Sequence, residues 1–369
     1  MFSNLNEARA AFRANKQRAE DVFGIYALDS VQSYTPDAFK NKNNGYSMAM
    51  DAQPTLVTDP NGAIPWYLLN YIDPDTLKIV QAPVKAAEIY GEERKGDWTS
   101  VTAMFPVVEH AGEVSSYGDY NNSGETSVNT NFPQRQNYLY QGVKQYGELQ
   151  LARAGEARIN WVSEMDASAV NNMRRFENLM YIYGIGGLQN YGGVNDPGLP
   201  ASLTPAPKAY GGTTWFVGST LKASPNEVYT DILAMYTDTV NRNQGLVDED
   251  SEMTLALSPL SATALKAANS FGVTTSQLLA DGLPKLKVKT IPQFGAYSST
   301  NPQGIQGGNF AQLIVHSLEG KKTCFAGFSE KLRSHPIIRD MSSFKQKITG
   351  GGWGTIWKSP VASSSTIGI

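Results

Sequence analysis

Residues 163–184 read SEMDASAVNNMRRFENLMYIYG. Met165, Ala169, Met173, Phe176, Met180 and Tyr183 step by 4, 4, 3, 4 and 3 residues, which puts them on one face of an α-helix. Arg174, Arg175 and Glu177 turn elsewhere. The spacing predicts a helix over 164–183. Ser163, with Asp166 three residues on, has the pattern of a capping box, and Gly184 marks the stop. At about 1.5 Å per residue such a helix reaches about 30 Å, long enough to be the backbone of a flat subunit. The methionine and aromatic stripe reads as core rather than as a cofactor pocket.

Upstream, residues 148–158 (ELQLARAGEAR) suit a shorter helix. Before them stand two strand-like limbs, about 98–108 and about 136–146, the second with Tyr138 and Tyr140 alternating with polar neighbours. Between the limbs, about 111–134 is Gly, Ser, Asn, Asp and Thr. Connections beyond about 12–15 residues are uncommon inside a compact domain, and an isolated hairpin is marginal in water. The expectation is an extended two-stranded excursion that, if ordered, rests on a neighbouring subunit. Residues 5–23 keep an approximate helical period. Residues 29–62 are rich in Asn, Gly and Pro and too polar to order themselves. They read either as a floppy tail or as an arm laid on another surface. IPWYLL (64–69) and TLKIV (76–80) read as short strands.

Downstream comes the Gly-rich run GIGGLQNYGGVNDPGLPA (184–201). Gln189 stands where G-x-G-x-x-G needs its third glycine, and no Gly-Lys-Ser/Thr follows. A loop needing positive φ and close packing is the better reading than a phosphate cradle. Residues about 205–318 alternate helix and strand signals. Ser224-Pro225-Asn226-Glu227 announces one helix, with Val228, Ile232, Met235, Tyr236 and Val240 on its apolar side. MTLALS (253–258) is a strand, and Ser258-Pro259 opens a second helix carrying Leu265, Ala268 and Phe271 to Gly272. PKLKVKTIP sets Lys285, Lys287 and Lys289 on the outer face of a half-buried strand, as an edge guard or a surface for acids or RNA. AQLIVHS (311–317) is the last strand of the block, and residues 319–369 read as β.

The chain has 369 residues, a prior of two to three domains, with 41% apolar residues for a core and 18% charged. Its net charge of -3 excludes a dominant nucleic-acid footprint. The single Cys324 excludes an internal disulfide framework and a Cys-rich zinc site. No apolar run is long enough to cross a membrane, and the charged N-terminus is not a secretory signal. The reading is a protein of the reducing cytosol or something assembled there. His110, His316 and His335 share no ligand spacing, no G-x-S-x-G or H-E-x-x-H occurs, and Cys324 sits in an apolar strand. Asp248, Glu249, Asp250 and Glu252 lack EF-hand spacing and read as a solvated acidic turn. No catalytic residue, cofactor or metal is expected. A carboxylate-pair enzyme needs no local motif and stays open as an alternative.

Two short motifs and the order of the elements carry a resemblance. Tyr146-Gly147-Glu148-Leu149, Ala152 and Ala154-Gly155 lead into the long helix, and Asn195-Asp196-Pro197-Gly198-Leu199-Pro200 follows it. With SPNEVYTDILAMY, MTLALSP and KVKTIPQFG in that order, residues about 60–369 resemble the major capsid proteins of tailed bacteriophages, the Hong Kong ninety-seven type fold, to which encapsulins are related. The resemblance implies an α+β fold with an N-terminal arm (1–60), a peripheral domain (61–95, 147–204 with the spine helix, and 319–369), an extended loop (96–146) and an axial α/β domain (205–318). It implies a structural protein, not an enzyme, whose copies form pentamers and hexamers of an icosahedral shell around double-stranded DNA. The implied partners are itself, portal, scaffolding and decoration proteins, and packaged DNA touched non-specifically, with no membrane. The implied location is the virion, assembled in the host cytoplasm. No scaffolding-like helical segment precedes the arm, so a separate scaffolding protein is implied, and no covalent cross-link is expected. An encapsulin-like nanocompartment is the nearest alternative. Inter-subunit contacts are expected at Glu113, Tyr117, Asp119, Glu125 and Arg135 in the loop and at Arg174 and Arg175 on the helix. The competing reading of each is an ordinary solvated charge or side chain.

Overall fold

The computed structural model describes residues 83–157 and 159–369. The helix expected over 5–23, the polar stretch 29–62 and the strands expected at 64–80 lie outside the described residues.

The helix expected over 164–183 runs from Trp161 to Tyr183 and stops at Gly184, whose φ is +66°. Its cap is Asn160 rather than Ser163: the Asn160 side chain accepts from the Ser163 amide at 3.3 Å, and Ser163 sits inside the first turn. The buried face holds Met173, Met180, Tyr181 and Ile182, and it also takes in Glu177 and Asn178. This helix lies on a five-stranded sheet. Glu92–Arg94 pairs with Cys324–Ser334, which pairs with Ser343–Trp357; the last also takes Ile338–Asp340 and Tyr138–Gly147. The glycines at 350–352 let helix and sheet approach, since a Cβ at Gly352 would stand 2.2 Å from the Met180 methyl. Beside that run, the Tyr140 and Phe176 rings pack with centroids 4.9 Å apart.

The loop after the helix is held as tightly as its glycines suggest. Gly184–Ile185 pairs with Asn190–Tyr191, and a Cβ at Gly192 would stand 2.1 Å from the Ile182 carbonyl oxygen.

A second sheet has the order Leu286–Thr290, Met253–Leu257, Phe310–Val315, Ser363–Ile367. The first pair is parallel and the other two are antiparallel. Both central strands are buried at every position. The reason is that each face has its own core, so the strands read as apolar runs and not as alternation. One face packs Leu255, Leu257 and Leu313 against Trp215 and against Val228, Ile232 and Met235 of the helix Pro225–Arg242. The other sends Ala256, Ile314 and Phe310 into the core under the long helix. Gln312 on that face is fully engaged: Tyr90 donates to its oxygen at 2.9 Å, and its amide donates to Gly193 O and Ser363 Oγ at 3.0 and 3.1 Å.

The helix at Pro225 starts with the expected reciprocal cap between Ser224 and Glu227. Buried beneath it, Lys208 donates to both Asp231 oxygens at 2.7 and 2.6 Å, and the Trp215 indole donates to the same carboxylate at 2.7 Å.

One expectation fails here. The helix opened by Ser258-Pro259 ends at Ala264 and does not reach Gly272, and Phe271 is exposed. The Asn269 side chain accepts from the amides of Phe271 and Val273 and folds this stretch into a turn instead. A separate helix, Thr275–Gly282, follows with its own cap at Thr274. The tail expected to be β is so, and it serves two sheets: Cys324–Ser334 and Ser343–Trp357 lie in the first, and Ser363–Ile367 edges the second against Phe310–Val315.

Candidate assembly surfaces

Residues 102–136 form a narrow two-stranded ribbon. Thr102–Met104 pairs with Gln134–Gln136, and Val107–Gly112 pairs with Thr126–Asn131 from Val107↔Asn131 to Gly112↔Thr126. Between the two ladders stand Pro106 and Pro133, neither of which can donate a backbone hydrogen bond, and the Phe105 amide donates to the Pro133 carbonyl at 3.0 Å. Within the 111–134 segment, residues 111–112, 126–131 and 134 are strand-paired and 113–125 form the tip. Of the second limb expected over about 136–146, Gln136 pairs with Thr102 of the first limb, whereas the strand Tyr138–Gly147 pairs with Ser343–Trp357. Valine and threonine supply strand propensity along the ribbon, yet Thr126–Asn131 is exposed at every residue and Val107–Gly112 at all but Ala111.

The tip, 113–125, carries Glu113, Asp119 and Glu125 and no base. The Glu113 amide donates to the Glu125 carbonyl at 3.1 Å, and the Tyr117 hydroxyl donates to Asp119 at 2.8 Å. Val114, Tyr117 and Tyr120 are almost wholly exposed.

Arg135 is not at the tip. Its guanidinium meets Asp196 at 2.6 Å and covers the Tyr191 ring at 4.9 Å, so within this chain it locks the root of the ribbon to the loop after the long helix. Asn190 strengthens the lock by donating to Gln136 O at 3.0 Å and Gly352 O at 2.9 Å. Sequence reasoning missed Asp196 and Asn190 as anchors; the Asn-Asp-Pro-Gly pattern signalled a turn but not its partner.

Arg174 and Arg175 are exposed on the long helix, and among the described residues neither forms an ion pair. Arg174 borders a hollow of about 360 Å³ that also holds Glu92, Glu177 and Lys331. Lys331 is ion-paired with Glu92. Glu177 accepts from Tyr181 at 2.8 Å; burial raises its carboxyl above the ordinary range, partly offset by that bond and by Lys331.

The remaining chemical side chains serve the fold. His316 bonds Thr254 at 2.7 Å and is held below its usual pKa by burial, and His335 bonds Thr349 at 3.0 Å. His110 stands on the exposed ribbon. Cys324 is buried, which pushes its thiol up to about 12. Asp248 is bonded to Ser251 and Asp250 faces Lys285 at 3.4 Å. The strand Leu286–Thr290, with Lys287 outward, lies at a sheet edge.

Comparison with known proteins follows the same lines. The family described as Pa193 gp26 major capsid protein matches residues 55–368. Among solved structures, the capsid of Myoviridae phage XM1 aligns with a TM-score of 0.67 at 13% identity, over 84% of this chain and 99% of that one. The capsid of a native GTA particle aligns at 0.52 and 11% identity, over 86% and 99% of the two chains. Mycobacterium phage Ogopogo aligns at 0.51 and 13% identity, over 82% and 97%. A search of curated proteins finds no match. At these identities the structural likeness speaks to the fold.

Proposed function

This chain belongs to the Pa193 gp26 major capsid protein family, and from that premise we propose that its copies form pentamers and hexamers of an icosahedral shell around double-stranded DNA. The fold is that of phage capsid proteins, and the place of such a protein is the capsid of the virion. The observation that carries the assembly reading is the ribbon: it is paired along its length yet buries almost nothing in its own chain. Fixing a residue costs about 1–2 kcal/mol of backbone entropy, so an ordered ribbon draws its stability from surfaces outside its own molecule.

The role is structural and without catalysis, and assembly takes place in the host cytoplasm. Portal, scaffolding and decoration proteins are the expected heterologous partners. DNA is touched non-specifically, consistent with a net charge of -3. Glu113, Tyr117, Asp119 and Glu125 at the tip and Arg174 and Arg175 on the helix contact neighbouring copies, whereas Arg135 is committed within its own chain. The family match gives no support to a nanocompartment or carboxylate enzyme. Electron microscopy and scattering of the purified full chain test the proposal. Shells, capsomers or tubes are expected; a compact monomer at high concentration overturns it. Arg174→Ala with Arg175→Ala lowers particle yield and leaves the fold intact; unchanged yield removes both from the interface.

A further inference from the structure

Between the root of the ribbon and the hairpin at 317–322 lies an open groove of about 870 Å³, within the range of about 300–1,000 Å³ usual for small-molecule sites. Its apolar walls come from distant parts of one chain: Phe105 and Val108 from the ribbon root, Leu318 from the hairpin, Ile356 and Trp357 from the end of the long strand. Phe105 is steadied edge to face against the buried Phe325 ring, with centroids 6.1 Å apart. The rim is basic. Lys95, Lys321, Lys322 and Lys358 line it against Glu93 and Glu319. Lys322 at 2.5 Å and Lys95 at 3.0 Å share Glu93 and hold its carboxyl below the ordinary range. Lys321 and Lys358 form no ion pair among the described residues. The ammonium groups of Lys95 and Lys358 each stand 5.3 Å from the centroid of Phe325, so two like charges gather at one ring. An anion among these lysines relieves their repulsion.

Deeper in the groove, two donors are unpaired. Trp357 is only 6% exposed, and its indole Nε1 is buried with no acceptor in the chain; Arg135 Nε is in the same condition. A buried donor without an acceptor is costly. Both residues line the groove, and a small rotation of either side chain carries its N–H to an acceptor seated there. The walls thus suit a flat ring, the donors ask that ring for acceptor atoms, and the lysines ask for more than one negative charge. Inorganic phosphate meets only the last demand, and a fatty acid lacks the acceptor-bearing ring. We infer that the groove binds a nucleotide, with its base against Phe105 and Trp357 and its phosphates on Lys321 and Lys358. The site goes beyond the shell-forming role, and every wall belongs to one chain, so binding needs no neighbouring copy.

The test uses the purified full chain and magnesium-free ATP, with adenosine as the ring-only comparator and inorganic triphosphate as the charge-only one. ATP is expected to bind about tenfold more tightly than either comparator, to raise the melting temperature and to quench tryptophan fluorescence. Trp357→Phe keeps a flat apolar ring and removes the N–H; it is expected to remove most of the quench and to narrow the advantage of ATP over triphosphate. Lys321→Glu with Lys358→Glu is expected to weaken ATP binding about tenfold, with an unchanged melt of the free protein because both side chains are exposed. An azido-ATP photoprobe is expected to label the peptides around 102–108 or 353–359. No binding at millimolar ATP, triphosphate bound as tightly as ATP, a lysine reversal without effect, or photolabel confined to other peptides overturns the inference, and each leaves the shell-forming role standing. If Trp357→Phe fails to fold, the lysine reversal and the photolabel still decide.

Discussion

The second sheet and the ribbon are both built from paired strands, and they obey opposite rules. In the sheet, Met253–Leu257 and Phe310–Val315 are buried at every residue between two cores. In the ribbon, Thr126–Asn131 is exposed at every residue. Backbone pairing is common to both, so pairing is not what distinguishes a self-sufficient element. Burying a large apolar side chain contributes about 1.5–3 kcal/mol, and the sheet collects that many times over while the ribbon collects almost none of it. One region is complete in a single molecule; the other buries almost nothing within its own chain.

The contrast can be broken in order of expected effect on stability. Asp231→Ala leaves Lys208 buried without its partner and should cost about 3–5 kcal/mol in a chemical-denaturation experiment. A loss under 1 kcal/mol would show that the pair is dispensable. By comparison the exposed Arg339–Glu148 pair, at 2.7 Å, is worth about 0–1 kcal/mol. Leu313→Ala, in the middle of the second sheet, should cost about 2–5 kcal/mol.

Glu177→Gln should act in the opposite direction. Burial raises the folded pKa of this carboxyl above its ordinary value of 4.5. The stability of its neutral form is therefore fully present below that value and is lost as pH rises through the raised one. The glutamine variant should melt higher than the parent at neutral pH, with the gain vanishing below about pH 4.5. A gain that does not change with pH would contradict this account.

Smallest of all on stability, and largest on assembly, is replacement of residues 114–124 by a short Gly-Ser turn. The melting curve should shift by no more than about 0.5 kcal/mol, because nothing buried is removed. Particles should not form. A large fall in melting temperature would mean that the tip supports its own domain after all.

Much of the architecture was legible because local chemistry announced it. The 4, 4, 3, 4, 3 spacing gave the long helix, and Ser224-Pro225-Asn226-Glu227 gave the cap of the next one. The errors arose where a nearby competitor won. Asn160 captured the helix start three residues before the serine that looked like its cap. Asn269 folded the chain into a turn where Leu265, Ala268 and Phe271 kept helical spacing. Long-range pairing left no local mark: nothing in Tyr138–Gly147 says that its partner lies some two hundred residues on at Ser343–Trp357. At the assembly surfaces, the ribbon was visible as polarity without a core. The Arg135–Asp196 lock was not, because it depends on which loop the fold brings beside the ribbon root.

The strand Ser343–Trp357 has a mechanical consequence. Its fifteen residues, at about 3.4 Å each, make a cord of roughly 50 Å. Ten of them, from Ser343↔Gly147 to Gly352↔Tyr138, lie antiparallel to one neighbour. Tension applied along the cord strains these pairs together in shear instead of unzipping them one after another. A wall made of such subunits would yield first at the joints between molecules and only later within them.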